Sequence, residues 1–159
     1  MPGIDSELQS RFSSEQQKAM LNVLFTANWL KAKQVAVFKP YGLSPQQYNI
    51  LRILRGAMAS STPAGTDGGR MKMQAVKERM IERAPNATRL TDKLIAKKLV
   101  IRERCDEDRR VVYVRISPKG LELLKRLDEV NRTQLDPVLD GLGTEDAQLI
   151  NRVLDGWRG

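Results

Sequence analysis

RAPNATRLTDKLIAKKLVIRERCDEDRRVVYVRISPKG, residues 83–120, decides how the rest of this chain is read. After a turn around Arg83–Pro85, the spacing predicts a helix running to about Lys97, with Ala87, Leu90 and Leu94 on one face. Asn86, Arg89, Lys93 and Lys97 recur at intervals of three and four and share an adjacent face, with Thr88 and Thr91 beside it. Val100–Cys105 and Val111–Ile116 read as strands. In the second, Val112, Val114 and Ile116 alternate with Val111, Tyr113 and Arg115. The intervening Asp106, Glu107, Asp108, Arg109 and Arg110 are polar enough only for a hairpin tip. Ser117-Pro118 then puts a capping residue ahead of a proline in the first helical turn.

Upstream, Gln74–Met80 reads as a short helix with Val76 and Met80 inward and Lys77, Glu78 and Arg79 outward. Two helices joined by a short turn suggest a helix-turn-helix, and the hairpin after them makes it a winged helix. Met71–Met73 can supply a short strand, and the Gly- and Pro-containing stretch at 59–70 reads as a loop. Ser44-Pro45 starts a helix of about Pro45–Met58, with Tyr48, Leu51, Leu54, Ala57 and Met58 on its stripe. Ser14–Lys39 has helical character and apolar residues around much of its circumference, so it must be covered on more than one side, by its own domain or by a second protomer. Residues 1–13 are polar and expected to fray. Beyond the wing, Leu121, Leu124, Leu127 and Val130 mark another helix, and Thr144 can cap a last one bearing Leu149, Ile150, Val153, Leu154 and Trp157.

The expected fold class is mainly α with a small β-wing: a winged helix-turn-helix DNA-binding domain at 44–120, flanked by an N-terminal dimerisation helix (1–43) and C-terminal dimerisation helices (121–159). The formal charge of +8 is concentrated in that middle part. Arg70–Lys119 holds 15 Lys/Arg against 7 Asp/Glu, while the rest of the chain is balanced. Such localisation is the footprint of a polyanion-binding module. No apolar run approaches the ~18 residues of a membrane span, the N-terminus has no signal-peptide pattern, and a cytoplasmic location is expected. With no histidine and a single cysteine, neither a disulfide nor a metal-ligand spacing is available, and no metal or cofactor is expected. Catalysis is disfavoured too, since the chain shows no nucleophile–base pair and no phosphate-cradling glycine loop. Lone Cys105 in a strand reads as a small hydrophobe rather than a redox sensor.

TRLTDKLIAKKLVIR followed by DEDRRVVYVRISPKG resembles the MarR family of bacterial transcriptional regulators, and the likeness extends over about Ser14–Trp157. It implies a homodimer in which each protomer lays a recognition helix in the major groove and a wing in the adjacent minor groove. An arginine can bond guanine bidentately in the major groove. Arg89 is therefore expected at base edges, with Asn86 and Thr88 near it, and Lys93 and Lys97 at phosphates. In the wing, Arg109 or Arg110 should enter the minor groove, whose potential attracts arginine. The other, preferably Arg110, should pair with Asp108 or with Asp92 and so align wing and helix. The resemblance also implies release of DNA by a small aromatic or lipophilic effector, with Trp29, Phe38, Tyr41 and Tyr48 near the place it would occupy. Two features depart from the family pattern: Lys98 stands where a glycine is usual, and the 59–70 loop is long. The alternative function is a winged-helix module for protein assembly, without sequence-specific DNA binding.

Overall fold

The computed structural model describes residues 2–59, 69–83 and 85–159. The chain forms two compact units, residues 1–45 and 46–159. The first contains α1 (Ile4–Leu8) and α2 (Glu15–Phe38), closed by a 3₁₀ turn at Lys39–Tyr41. The expectation of a frayed terminus is corrected here: residues 4–8 are helical, and Ile4 is buried. Ser14 caps α2 by accepting from the Gln17 N–H at 3.1 Å, and Gln17 Oε1 accepts from the Ser13 N–H at 2.7 Å. One helix-start N–H is thus satisfied by the cap, and Gln17 ties down the residue before it. Met20, Val23, Leu24, Trp29, Leu30 and Val35 of α2 remain exposed.

The second unit contains α3 (Pro45–Ala59, all but its first residue), β1 (Met71–Lys72), α4 (Met73–Arg79), α5 (Ala87–Ala96), β2 (Val100–Arg104), β3 (Val112–Ile116), α6 (Pro118–Gln134) and α7 (Thr144–Arg158). Most of the 59–70 loop expected from the sequence lies outside the described residues. The three strands form an antiparallel sheet in the order β1-β3-β2, with Val100 opposite Ile116 and Arg104 opposite Val112. Alternation along β2 and β3 leaves Val100, Val114 and Ile116 on the covered face. They join Ile50, Leu51 and Leu54 of α3, Val76 of α4, Leu94 of α5 and Leu124 and Leu127 of α6 in one fully buried core. Thr144 is not the cap of α7: it is the first helical residue, and Gly143 precedes it without a side-chain bond. No residue of α7 is buried, and Leu149, Ile150, Val153 and Trp157 are exposed. No helix among the described residues is long and apolar enough to cross a membrane.

Candidate nucleic-acid interface

Helix α5 is held from behind by short-range chemistry. Ala87, Leu90, Thr91 and Leu94 are buried. Thr91 Oγ1 donates to the Ala87 carbonyl at 2.9 Å, and Gln47 Nε2 of α3 donates to the Leu90 carbonyl at 3.4 Å. The turn before the helix is tied down by the Ile81 N–H, which donates to Asn49 Oδ1 at 3.0 Å. Asn86 occupies the N-cap position but makes no side-chain capping bond, so its amide faces outward with Thr88, Arg89, Lys93 and Lys97. Arg89 forms no ion pair among the described residues. Tertiary packing consumes one face of α5, and the residues of the polar stripe are exposed on the other.

The C-terminal end of α5 explains the unusual Lys98. Its φ is 61°, in the left-handed region. The Leu99 N–H donates back to the Leu94 carbonyl (3.0 Å) and the Lys98 N–H to the Ile95 carbonyl (2.9 Å). These are the paired bonds of a Schellman ending, accompanied by burial of both Leu94 and Leu99. Glycine accepts this conformation without strain, whereas a Cβ there costs ~1 kcal/mol. The geometry usual for glycine is therefore kept, with a lysine in it.

Ser117 welds this end of the helix to the sheet and to α6. Its N–H donates to the Leu99 carbonyl at 3.0 Å and its hydroxyl to the Lys98 carbonyl at 2.6 Å, while the same oxygen caps α6 by accepting from the Gly120 N–H at 3.0 Å. The Ser-Pro-Lys-Gly pattern follows from this. A Cβ on Gly120 would stand 2.4 Å from the Leu99 carbonyl oxygen and 2.7 Å from Ile116 Cγ1, so a larger residue would force these groups apart.

At the wing tip, Asp108 is a turn former. Its Oδ1 accepts from the Arg110 N–H (3.0 Å) and its carbonyl from the Val111 N–H (3.0 Å). Arg109 and Arg110 are exposed on that turn. The pairing expected between Asp92 and Arg110 is not what the structure has. Asp92 on α5 pairs with Arg102 on β2, and no ion pair to Arg110 is formed among the described residues. The physical reason is strand alternation: Arg102 lies opposite Val114 on the sheet face that meets α5, whereas Arg110 sits out on the turn. The alternation of Val100, Arg102 and Arg104 carried that signal, and reading the wing from its tip missed it. On the other face, Glu103 takes up Arg115 (2.6 Å) and Arg70 (3.7 Å), and Arg70 stacks on Tyr113 at 4.2 Å. Among the described residues, the wing's cations are thus paired through Glu103 on one face and through Arg102 with Asp92 on the other.

Between α4, α5 and the wing opens a groove of about 520 Å³, floored by Met73, Val111, Val112 and Val114 and rimmed by Lys77, Thr88, Arg102 and Arg110. None of the four aromatics expected around an effector lines it. Trp29 is exposed, Phe38 fully buried and Tyr41 half-buried in the first unit. Tyr48 is buried on α3, its hydroxyl accepting from Asn131 Nδ2 of α6 at 2.6 Å. Burial raises the Tyr48 phenol above its usual value, against the opposing pull of Arg52 stacked near its ring. The same two helices are joined by the bidentate Arg55–Asp128 pair at 2.7 and 3.0 Å. Cys105 is half-buried just past β2.

A helix with an exposed polar and basic stripe, beside a β-hairpin with arginines at its tip, has the form of a winged helix built for duplex nucleic acid. The chain is similar to the MarR transcription factor from Planctomyces limnophilus, with 34% identity, a TM-score of 0.67, and 91% of this chain and 98% of that one covered. The chain belongs to the MarR family. It is thereby a DNA-binding transcription regulator and not an enzyme. Among curated relatives, the HTH-type transcriptional regulator MhqR of Bacillus subtilis is 25% identical over 114 residues, 72% of this chain and 71% of its own length. The fold is also that of a mutant MarR from E. coli complexed with operator DNA (15% identity, TM-score 0.73, 92% of this chain and 98% of that one). No family model matches the sequence.

Proposed function

We propose that this MarR-family regulator is a cytoplasmic repressor that binds palindromic operators as a homodimer and is released by a small aromatic or lipophilic effector. The observation that carries DNA reading is the outward stripe of α5, where Arg89 forms no ion pair among the described residues, with Arg109 and Arg110 on the neighbouring wing tip. Arg89 bonds guanine in the major groove, flanked by Asn86 and Thr88. Lys93 and Lys97 meet phosphates, and one wing arginine enters the minor groove. Support for the mode comes from the similarly folded E. coli MarR mutant, which is complexed with operator DNA. Support for the dimer comes from the exposed apolar residues of α2 and α7, each helix being far more apolar outside than a monomer needs. An effector is proposed from family membership, with Trp29, Phe38, Tyr41 and Tyr48 as the aromatics nearest its expected place.

The test is binding of the purified protein to DNA upstream of its own gene and to a scrambled duplex, with footprinting, across salt and a panel of aromatic acids. Two protected half-sites about one helical turn apart, ~34–36 Å, are expected for a dimer on a palindrome. Arg89→Ala should bring operator and scrambled affinities together, at ~1–3 kcal/mol of lost discrimination, while Lys97→Ala weakens both equally. An Arg89→Ala protein as selective as wild type would remove Arg89 from base reading. Binding that ignores both salt and palindrome would favour an assembly module instead.

A further inference from the structure

We infer that the C-terminal end of α5 is a second anchoring point for the DNA backbone, built from Lys98 and Lys119 beside Lys97, and that Lys98 keeps its charge there at the expense of stability. The inference rests on the DNA-binding reading and extends it to two residues not otherwise assigned a contact.

Three observations converge. Lys98 is exposed and holds a left-handed backbone, with φ 61°, at a helix ending where glycine would be free of strain. An exposed side chain gains nothing from core packing, so folding alone offers no reason to retain it, and strain of this kind concentrates at functional sites. Second, α6 brings a further cation to the same place from 22 residues away: Lys119 Nζ donates to the Lys97 carbonyl at 3.2 Å. Third, Lys98 and Lys119 are exposed and meet no carboxylate among the described residues. Some cations of this unit are matched, Arg102 by Asp92, Arg70 and Arg115 by Glu103, and Arg55 by Asp128. Among the described residues Lys93, Lys98 and Lys119 form no ion pair. The negative end of the helix dipole favours a cation in the last turn, but it does not explain importing one from another helix onto a site already holding three lysines.

Length identifies the occupant. The 10 residues of α5 extend ~15 Å at ~1.5 Å each. The major groove is ~12 Å wide. With Asn86, Thr88 and Arg89 at its N-terminal end assigned to base edges, the lysines of its far end are left for the phosphates that flank them.

The experiment measures affinity for the upstream duplex and for a scrambled duplex between 50 and 200 mM salt, with wild type, Lys98→Gly, Lys98→Arg and Lys119→Ala. Lys98→Gly should melt higher than wild type, which shows that it is folded. It should nonetheless bind both duplexes more weakly, with a log–log salt slope shallower by ~0.9, so that its deficit shrinks about threefold across the salt range. Lys119→Ala should behave alike, and Lys98→Arg should keep the wild-type slope. A Lys98→Gly protein with wild-type affinity and slope on both duplexes overturns the inference, leaving a strained lysine that DNA does not use. If wild type itself binds neither duplex in a salt-dependent way, it is the DNA-binding reading that fails, and the two failures are told apart.

Discussion

Replacing Gly120 by alanine and Gly56 by alanine adds the same methyl group to two helices, and the structure predicts opposite outcomes. At Gly120 the new Cβ would stand 2.4 Å from the Leu99 carbonyl oxygen and 2.7 Å from Ile116 Cγ1. That carbonyl cannot retreat freely. It accepts from the Ser117 N–H at 3.0 Å, and the N–H of the same residue closes the end of α5 on Leu94. Overpacking of this kind costs ~1–3 kcal/mol, and each hydrogen bond stretched or lost adds ~1 kcal/mol. Reduced freedom of the unfolded chain returns ~0.4–1 kcal/mol. The net is about 2–3 kcal/mol of destabilisation, a large part of a typical total of ~5–15 kcal/mol. For a chain of this size that lowers Tm by roughly 5–10 °C. Gly56 lies inside α3 with nothing within 4 Å of its would-be Cβ. There the substitution removes only the flexibility penalty of a helical glycine, and Tm should rise by roughly 2–4 °C. Thermal melts by circular dichroism, at one fixed protein concentration because association shifts apparent stability, measure both. A Gly120→Ala protein melting with wild type, or both variants moving in the same direction, would refute the close-approach argument.

Two further tests follow from the packing. Because burial raises the Tyr48 phenol, the folded protein holds that proton more tightly than the unfolded chain does. Its contribution to stability is thus full below the ordinary tyrosine value of ~10 and declines as pH rises through the raised one. Ultraviolet titration should show a late tyrosine step that Tyr48→Phe abolishes; a Tyr48→Phe protein that keeps that late step would contradict the burial argument. In the dimer reading, a carboxylate placed among exposed Leu149, Ile150 and Val153 opposes burial of that face. A Val153→Glu, Trp157→Glu double variant should sediment as a monomer at concentrations where wild type is a dimer, and a persistent dimer would locate the interface elsewhere.

The elements around α5 were legible because each announces itself locally. Leu90 and Leu94 recur at helical spacing, Val112, Val114 and Ile116 alternate, Ser117-Pro118 marks a helix start, and the surplus charge lies in one stretch. All of these are properties of neighbours a few residues apart, and the residues chosen as outward on α5 are exposed in the fold. At the termini of elements the same logic failed. The helix at 4–8 lay inside an apparently polar tail, because one buried isoleucine leaves no periodic trace. Thr144 looked like a cap, yet the helix begins on it.

What local pattern could not decide was partnership between segments distant in the chain. The sequence offered Arg110 at the wing tip as a partner for Asp92, and only the register of β2 against β3, which sets Arg102 opposite Val114, brought Arg102 to that carboxylate instead. Lys98 read as a departure from pattern with two possible meanings. Its left-handed backbone was settled by Leu99 having to enter the core one residue later, and by Ser117 reaching across to the Lys98 carbonyl. Likewise Gly120 was visible as a motif residue, but the reason for it is a carbonyl 21 residues earlier in the chain. Periodicity and charge are written along a chain at short range, and the contacts that orient one element on another form only once the core has closed.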